Sequence, residues 1–542
     1  MKNSARLFFF AATTSLIATA ALAGALKITP LEANNASADG VSVPNAIAAE
    51  LKQSIVAQGS MKLENPSDLI GYYGYDNDGP LSPAAGAVQS KTNQVEATKT
   101  EPDKNTYLVL TGQKGPDAKY DYGTHFLFQG HENGVKKDDK PQGYFTRINL
   151  DADEAHRVTL MATQDTSGAG LVFIDGSTWN PFASRLLLTG EEGPEGGLWQ
   201  ATADFPSVVD DLRGVAGIAS FEGVQIDKDG NVWLVEDEDD KKGEVNKHAR
   251  QPNSFVYRLT LADKADMKKG GKLEVLQVLG KDGQPILFHD GQADADITAP
   301  AQKDLYAYGT TLKTKWVLLH DTATDGTTPF ETAKLAKAKG GTPMKRPENG
   351  MFRPGKDFTE FFFATTGDTN GDTEVGSEGG GFGGIFKLTQ AAPSAAEGEL
   401  NIVYRSDINH GCFDNLAFWD ADNLAIVEDC GEKLHGQRKL LDAGYLIDVT
   451  ADYGKADAAA PVRFVTAGRD EASTLDATIA AGDDNGFQND GDNELTGIHI
   501  SNGDATVEGL LGTKVPTPFQ DGWRVFYTRQ HGHNETYEIT GK

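Results

Sequence analysis

The feature that most constrains the fold of this 542-residue chain is a repeated hairpin with an acidic residue at each end. Its clearest copy covers residues 221–238, FEGVQIDKDGNVWLVEDE, in which Glu222 begins one strand and Glu236 ends the next. Apolar residues alternate along both strands with a period of two, and the polar turn 227–231 joins them. This pattern predicts an antiparallel hairpin. Each copy therefore brings carboxylate oxygens to one end of a two-stranded unit.

Four further segments follow the same plan less regularly. They cover residues 171–192, 347–370, 412–430 and 494–531. The polar residues at the ends of their strands include Glu191, Glu192, Glu348, Asp414, Glu494 and His531. Repetition on this scale predicts a repeat architecture rather than unrelated hairpins.

A second signal counts the repeats. A small residue or turn leads into a strand with an aromatic residue near its start at Phe145, Trp199, Tyr257, Phe386, Tyr445 and Tyr537. The chain also contains 61 glycines, many in Asp-Gly, Asn-Gly and Gly-Gly pairs that are typical of turns. Together these features predict an all-β fold, a six-bladed β-propeller whose strand ends surround a central channel. Two separate β-sandwich domains are the alternative.

The remaining segments complete the predicted domain organisation. Residues 1–23 have the basic start, apolar run and small-residue cleavage site of a secretory signal peptide. Residues 24–105 form an N-terminal extension with one predicted helix over about 45–58. Residues 106–542 form the propeller, with a mostly helical and loop insertion over about 262–340. We therefore expect a periplasmic or extracellular protein with no transmembrane segment after removal of the signal.

The net charge of the chain, −29, argues against nucleic acid and anionic lipid as partners. It fits either the solubility of a secreted protein or the binding of divalent cations. The only two cysteines, Cys412 and Cys430, lie symmetrically about Ala421. A hairpin centred on Ala421 would place them opposite each other and predicts a disulfide, with two reduced thiols or a metal ligand as the alternatives.

Five sequence blocks, in this order, resemble the PhoX family of alkaline phosphatases. They are STWNPFASRLLLTGEE, FEGVQIDKDGNVWLVEDE, RPENGMF with FFFATTGDTN, FDNLAF with NLAIVED, and ELTG with TRQHG. The resemblance covers roughly residues 171–533 and lies in the order of the blocks. It implies a six-bladed propeller with a calcium and iron cluster at one mouth, which hydrolyses phosphate monoesters outside the cytoplasm.

The resemblance also implies roles for individual residues. The metal-binding acids of the family fall on Glu191, Glu192, Glu222, Glu348 and Glu494, and Asp414, Glu236 and Asp237 match further positions of the pattern. A phosphate-contacting arginine falls on Arg346. The family has a cysteine iron ligand upstream of the first acidic pair, where the nearest residues here are Asp175 and Ser177. The signal segment lacks the twin arginines usual in the family.

These residues have a chemistry in common. Carboxylates alone would repel a dianionic phosphomonoester, whereas bound metal ions reverse the charge, polarise the phosphoryl oxygens and supply an activated water. Calcium suits carboxylate ligands, and a three-carboxylate site also suits iron or manganese. Arg346 would bind a phosphate oxygen through its donor fork, and His531 or His533 would protonate the leaving group. The ordinary alternatives are solvated turn acids and an arginine that pairs with a neighbouring carboxylate.

Three functions fit the sequence. The first is an exported, monomeric, metal-dependent phosphoesterase acting on a small phosphate ester. The second is a calcium-dependent lactonase or esterase, and the third is a non-catalytic, calcium-binding exported propeller. The sequence contains no Walker loop, no HExxH motif and no GxSxG elbow on which a nucleotide-binding or serine-hydrolase function would depend.

Overall fold

The computed structural model describes residues 27–38, 41–74, 100–132, 136–137, 140–141, 143–191, 195–238, 241–469, 494–530 and 533–542. The predicted signal peptide lies outside these residues. The strands are β1 Ala46–Ile47, β2 Leu51–Ala57, β3 Pro102–Val109, β4 His125–His131, β5 Lys136–Lys137, β6 Lys140–Pro141, β7 Tyr144–Asn149, β8 Val158–Ala162, β9 Ile174–Asn180, β10 Arg185–Gly190, β11 Gly197–Ala201, β12 Val209–Asp211, β13 Phe221–Ile226, β14 Val232–Glu236, β15 Val256–Leu261, β16 Gly271–Val278, β17 Leu312–Asp321, β18 Pro347–Phe352, β19 Glu360–Thr365, β20 Gly384–Gln390, β21 Glu397–Arg405, β22 Phe413–Phe418, β23 Asn423–Glu428, β24 Ala443–Asp448, β25 Val462–Thr466, β26 Leu495–Ser501, β27 Arg524–Arg529 and β28 Glu535–Gly541.

The helices of the described residues are short. They are α1 Ala293–Ile297, α2 Pro300–Leu305, α3 Thr322–Asp325, α4 Thr332–Lys339 and α5 Glu432–Arg438, with single turns of 3-10 helix at Glu154–His156, Met267–Lys269, Ser377–Gly379 and Val507–Gly509. None of these helices has the length and apolar character needed to cross a bilayer. Strands therefore carry almost all of the regular structure.

Consecutive strands pair as antiparallel meanders. The sheets have the orders β3-β4-β7-β8, β12-β11-β10-β9, β1-β25-β24-β23-β22 and β2-β28-β27-β26, together with a nine-stranded sheet and the small pair β5-β6. The first strand of each meander, called the inner strand below, packs against the inner strand of the next. The strands β3, β9, β13, β18, β22 and β26 contact one another in this order, and β26 returns to β3. The prediction of an all-β, propeller-like fold is thus confirmed.

In the described residues, however, two of the six meanders are joined into one sheet. The nine-stranded sheet has the order β13-β14-β15-β16-β17-β21-β20-β19-β18, so two four-stranded meanders are joined through β17. β17 is long enough to pair with β16 over most of its length and with β21 at residues 312–315. Because one strand satisfies the outer edges of both meanders, the third and fourth predicted blades form one continuous sheet.

The insertion predicted at about 262–340 contains two strands that the sequence analysis did not predict. It contains the short helices α1 to α4, yet it also supplies β16 and β17, the longest strands of the region. The sequence of β17, LKTKWVLLHD, alternates lysines with apolar residues near its start, which is a strand pattern. Most of the insertion is helix, turn and loop, and its two strands complete the nine-stranded sheet.

The helix predicted over about 45–58 is wrong. The segment forms β1, which pairs with β25, and β2, which pairs with β28 along Leu51 to Ala57. Both strands cover the outer edge of a sheet formed by residues near the end of the chain. Pairing with an open sheet edge outweighs a weak local helix preference, since that edge offers unpaired backbone donors and acceptors.

Aromatic residues fill the space between the two halves of the nine-stranded sheet. Trp233 on β14 meets the rings of Trp316, Phe352 and Phe361 at centroid distances of 5.3, 5.1 and 4.9 Å. Trp233 is 1% exposed, and its indole nitrogen donates to Asp227 Oδ2 at 2.9 Å in the hairpin turn. This packing holds the inner strands in fixed positions, so that the residues at their ends are held rigidly as well.

Candidate metal centre

A β-bulge lies at or near the start of each inner strand. In β13, for example, Phe221 pairs with Glu236 and Val224 pairs with Leu234, so Glu222 and Gly223 oppose a single residue. The same shift occurs in the other five inner strands. The first bulge residue is an acid in five of the six, namely Asp103, Asp175, Glu222, Glu348 and Asp414, and Glu494 directly precedes the sixth strand. A bulge redirects a side chain, here toward the centre of the ring.

The second strand of each hairpin delivers further polar groups to the same end. Glu132, Glu191, Asp237, Asp429 and Gln530 each follow directly after the last residue of β4, β10, β14, β23 and β27. Gln530 connects two acids, since its Nε2 donates to Asp103 Oδ2 at 3.0 Å and to Glu132 Oε1 at 3.1 Å. The end of the ring therefore collects acids from both strands of several hairpins.

These side chains surround one cavity of about 190 Å³. Apart from Arg346 and Gln530, every residue that lines it is an acid: Glu101, Asp103, Glu132, Asp175, Glu191, Glu222, Asp237, Glu348, Asp414, Asp429 and Glu494. Asp175, Glu222, Glu348 and Asp414 are at most 5% exposed. Charged residues of this kind are seldom buried without a compensating partner, so the cavity needs positive charge.

Three groups of carboxylates within the cavity have the geometry of cation sites. They are Asp103, Glu132 and Asp175; Asp175, Glu191 and Glu222; and Glu222, Glu348 and Asp414. In each triad the three oxygen atoms lie within 4.8 Å of one another, so an ion at the centre would be at most about 2.8 Å from each, close to calcium–oxygen distances. Asp175 and Glu222 each belong to two triads. The three positions are therefore adjacent and could share ligands.

The hydrogen bonding of these acids also fits a bound cation. Asp175 Oδ1 and Glu348 Oε1 are buried and accept no hydrogen bond from the described residues. Such atoms cost free energy unless a ligand compensates them. The cavity offers only oxygen atoms as metal ligands, which favours hard cations such as calcium over metals that prefer sulfur. The donor set thus fits the calcium that the sequence predicts, whereas the choice of a transition metal stays a prediction.

Burial and mutual repulsion change the acid–base behaviour of these acids. Burial raises the pKa of Asp103 to about 7, and the charge of Asp429 adds to this rise. Burial, followed by the charges of Asp175, Glu191 and Glu348, raises the pKa of Glu222 well above its ordinary value. The pKa shifts in the same direction, with burial as the main cause, for Glu132, Asp175, Glu191, Glu348 and Asp414. A bound cation would reverse these shifts.

Arg346 is the cation at the edge of this cavity. Its Nε and Nη2 donate to both oxygens of Asp237 at 2.7–3.0 Å, and Nη2 lies 3.9 Å from Glu348 Oε1. Within the described part of the chain, Nη1 makes no hydrogen bond. Arg346 has a positive φ of 53°, a conformation that costs free energy for a residue with a side chain. Asp237 thus holds the guanidinium group of Arg346 in place, and Nη1 is left to bind a ligand.

The cavity contains most of the site residues that the sequence predicts. Arg346, Asp175, Glu191, Glu222, Glu348, Asp414 and Glu494 all line it, whereas Glu192 and His531 lie outside the described residues. Ser177, the other residue near the position of the family cysteine, does not line the cavity and contacts the hydroxyl of Thr106 at 2.8 Å. Glu236 faces away as well, because the Tyr257 hydroxyl donates to it at 2.6 Å.

Four acids of the cavity were not predicted: Glu101, Asp103, Glu132 and Asp429. A signal for Asp103 exists, since Pro102-Asp103 opens an inner strand as Pro347-Glu348 does. The predicted boundary between the extension and the propeller, at residue 105, falls inside β3. Asp103 was therefore assigned to the extension, and its similarity to Glu348 was missed. Glu132 and Asp429 could have been found from their position directly after a second strand, which is also the position of Glu191 and Asp237.

The disulfide between Cys412 and Cys430 stays a prediction, and the structure places both residues in one buried cluster. Cys430 Sγ lies 3.3 Å from the carbonyl oxygen of Gly411. The bulge in β22 shifts the register by one residue. As a result the Cys412 carbonyl accepts a hydrogen bond from Asp429 N at 2.8 Å, and Cys412 does not lie opposite Cys430.

Comparisons with known proteins extend these observations. Residues 249–507 match the sequence model of the family described as "Alkaline phosphatase PhoX". The fold is similar to that of Pseudomonas fluorescens PhoX in complex with vanadate, a transition state analogue, with a TM-score of 0.51 and 10% identity over 94% of this chain and 98% of that chain. The periplasmic gluconolactonase PpgL of Pseudomonas aeruginosa has a TM-score of 0.30 and 13% identity over 78% of this chain and 98% of that chain. No curated protein matches the chain.

Proposed function

Because this chain belongs to the PhoX family, we propose that it is an exported, metal-dependent phosphoesterase that hydrolyses phosphate monoesters. The observation that carries the proposal is the set of three carboxylate triads, joined through Asp175 and Glu222, beside the guanidinium of Arg346. Acids in such number repel a phosphate by themselves. With bound cations and a donor fork at the edge, the same cavity attracts it.

The size of the cavity limits what can enter. Its volume of about 190 Å³ is smaller than a pocket for a whole organic ligand, which usually has about 300 Å³ or more. We therefore propose that only the phosphoryl group enters and that the alcohol part of the ester stays at the mouth. A site of this kind would accept many monoesters, since it contacts the phosphoryl group that all of them contain.

The residues of the chain have distinct parts in this proposal. The acids of the triads hold the cations, Arg346 binds a phosphoryl oxygen through Nη1, and Asp237 fixes the direction of the guanidinium. When bound, the cations polarise the phosphoryl group and supply an activated water. Burial of the acids keeps bulk water out, which strengthens each electrostatic contact. His531 stays a proposed donor of the proton to the leaving group.

We propose calcium for the triads, because their ligands are carboxylate oxygens and Asp175 stands where the family has a cysteine. Iron or another transition metal is the alternative in one triad. We also count the ring as six-bladed, since each half of the nine-stranded sheet contributes its own inner strand. The proposal includes a monomer that is exported through the signal at residues 1–23.

Elemental analysis and turnover of p-nitrophenyl phosphate at alkaline pH test the proposal on the full mature chain. We expect bound calcium, activity that a chelator abolishes and that calcium restores, and loss of both in Glu348→Gln. The matched control is Glu397→Gln, an exposed acid of β21, which should retain both. Bound calcium without turnover of any phosphate ester would show a non-catalytic binding protein, and turnover of lactones alone would show a lactonase.

A further inference from the structure

One buried lysine, Lys104, lies close to the acids that line the cavity. Lys104 is the second residue of the bulge in β3 and directly follows Asp103. It is 1% exposed, and its Nζ donates to Asn349 Oδ1 at 2.5 Å across the ring. Asn349 is itself the second bulge residue of β18 and follows Glu348. The ammonium group therefore lies one residue deeper along the inner strands than the acids of the triads.

The corresponding residues of the other inner strands are small or uncharged. They are Gly176, Gly223, Asn349 and Asn415, and in β26 the second bulge residue is Ile498. At Gly176 a Cβ atom would lie 2.1 Å from the carbonyl oxygen of Glu222, and at Gly223 it would lie 2.8 Å from that of Glu348. No larger side chain fits at these two glycines. The centre of the ring at this depth is thus left to the single long side chain of Lys104.

Lys104 is electrostatically linked to acids from several sheets. Burial lowers the pKa of Lys104, whereas the charges of Asp414, Asp103, Asp175 and Glu222 act to raise it. Asp175 and Glu222 are the two acids that the triads share. Because these four acids and Asn349 come from five of the six inner strands, the ammonium group lies near the axis of the ring.

We propose that Lys104 is a cation of the metal centre, which supplies one positive charge beneath the triads and confines divalent cations to the positions above it. The inference rests on the proposed function, since it concerns the cations of the same cavity. The lysine partly neutralises the acids before any metal binds. It also repels the divalent cations, so that they bind less tightly than eleven acids alone would hold them.

Calcium titration of the chelator-treated full chain by calorimetry tests this role. In Lys104→Met and Lys104→Gln the charge is lost at similar volume, and we expect the weakest calcium site to bind about tenfold more tightly or better, since one repulsive charge beside the triads is removed. Lys104→Arg keeps the charge and should bind as the unmodified chain does. Lys315→Met, which removes an exposed lysine of β17, is the matched control and should change nothing.

The outcomes separate the two proposals. An unmodified chain that binds no divalent cation contradicts the proposed function itself. An unmodified chain that binds calcium, with equal or weaker binding in both neutral variants, overturns only the role of Lys104. If Lys104→Met does not fold, Lys104→Gln decides the matter, because it keeps a donor for Asn349 and lacks only the charge.

Discussion

The substitution Glu222→Gln should stabilise the metal-free protein and destabilise the calcium-bound protein. Glu222 is shared by two triads, so it has Asp175, Glu191, Glu348 and Asp414 as close neighbours. Without metal these acids repel one another, and removal of one charge relieves the repulsion. With calcium bound, the same change removes a charged ligand from two sites at once. The sign of the effect on stability therefore depends on the metal.

The geometry sets the size of the effect. Two carboxylates 4.8 Å apart repel each other by about 3.5 kcal/mol at an effective dielectric constant of about 20. Burial and the neighbouring charges raise the pKa of Glu222, so we take the repulsion of one such pair as the measure of the relief. A gain of about 3 kcal/mol corresponds to a rise in Tm of roughly 3 °C for a chain of this size.

Thermal unfolding in chelator at pH 8 and in excess calcium measures both signs. We expect Glu222→Gln to melt above the unmodified chain in chelator and below it in calcium, and the advantage in chelator should vanish near pH 5, where the acids carry protons. Glu397→Gln, at an exposed acid, should show neither shift. A lower Tm of Glu222→Gln in chelator would refute the reasoning, because it would show that Glu222 is compensated without metal.

Three further predictions concern neighbouring groups. Arg346→Lys keeps the charge but loses the planar guanidinium group that donates to both oxygens of Asp237. KM for an aryl phosphate should therefore rise about tenfold at unchanged calcium content. An unchanged KM would show that Arg346 does not bind the phosphate. Lys345→Met leaves the fully buried carboxylate of Asp368 without its ammonium partner at 2.8 Å and should lower the free energy of unfolding by about 3–5 kcal/mol in a urea titration; a loss below 1 kcal/mol would contradict this. The pKa of Asp103 is raised to about 7 in the folded protein, so the metal-free fold holds more protons than the unfolded chain between about pH 4 and 7. Its free energy of unfolding should therefore fall by about 4 kcal/mol as pH rises through that window, whereas calcium should flatten the profile.

The sequence predicted the general plan of the ring and of the site well. Apolar alternation and an acid at the start of the strand are local features, so residues such as Glu222 and Glu348 could be placed at strand ends that meet. The bulges could not be predicted in the same way, since an extra residue in one strand leaves the alternation on either side intact. The shifted register also explains why Cys412 and Cys430 are not opposite each other.

The errors of the sequence analysis concern contacts between distant parts of the chain. Nothing local shows that residues 51–57 pair with β28, and their composition is compatible with a helix. The strand β17 looks like part of an insertion until its pairing with both β16 and β21 is known. Asp103 was missed for a related reason, because a chain segment before residue 105 was not expected to supply an inner strand.

The pairing of β2 with β28 has a consequence for the order of events during synthesis. β2 emerges early and β28 emerges last, so the sheet that carries Glu494 cannot be completed in a growing chain. The triads draw acids from inner strands as distant as β3 and β22, which meet only in the closed ring. A chain that ends before β28 should therefore retain no calcium in equilibrium dialysis. Before the ring closes, the growing chain has no cavity that binds metal ions. The metal that binds is therefore determined by the compartment in which the finished polypeptide folds.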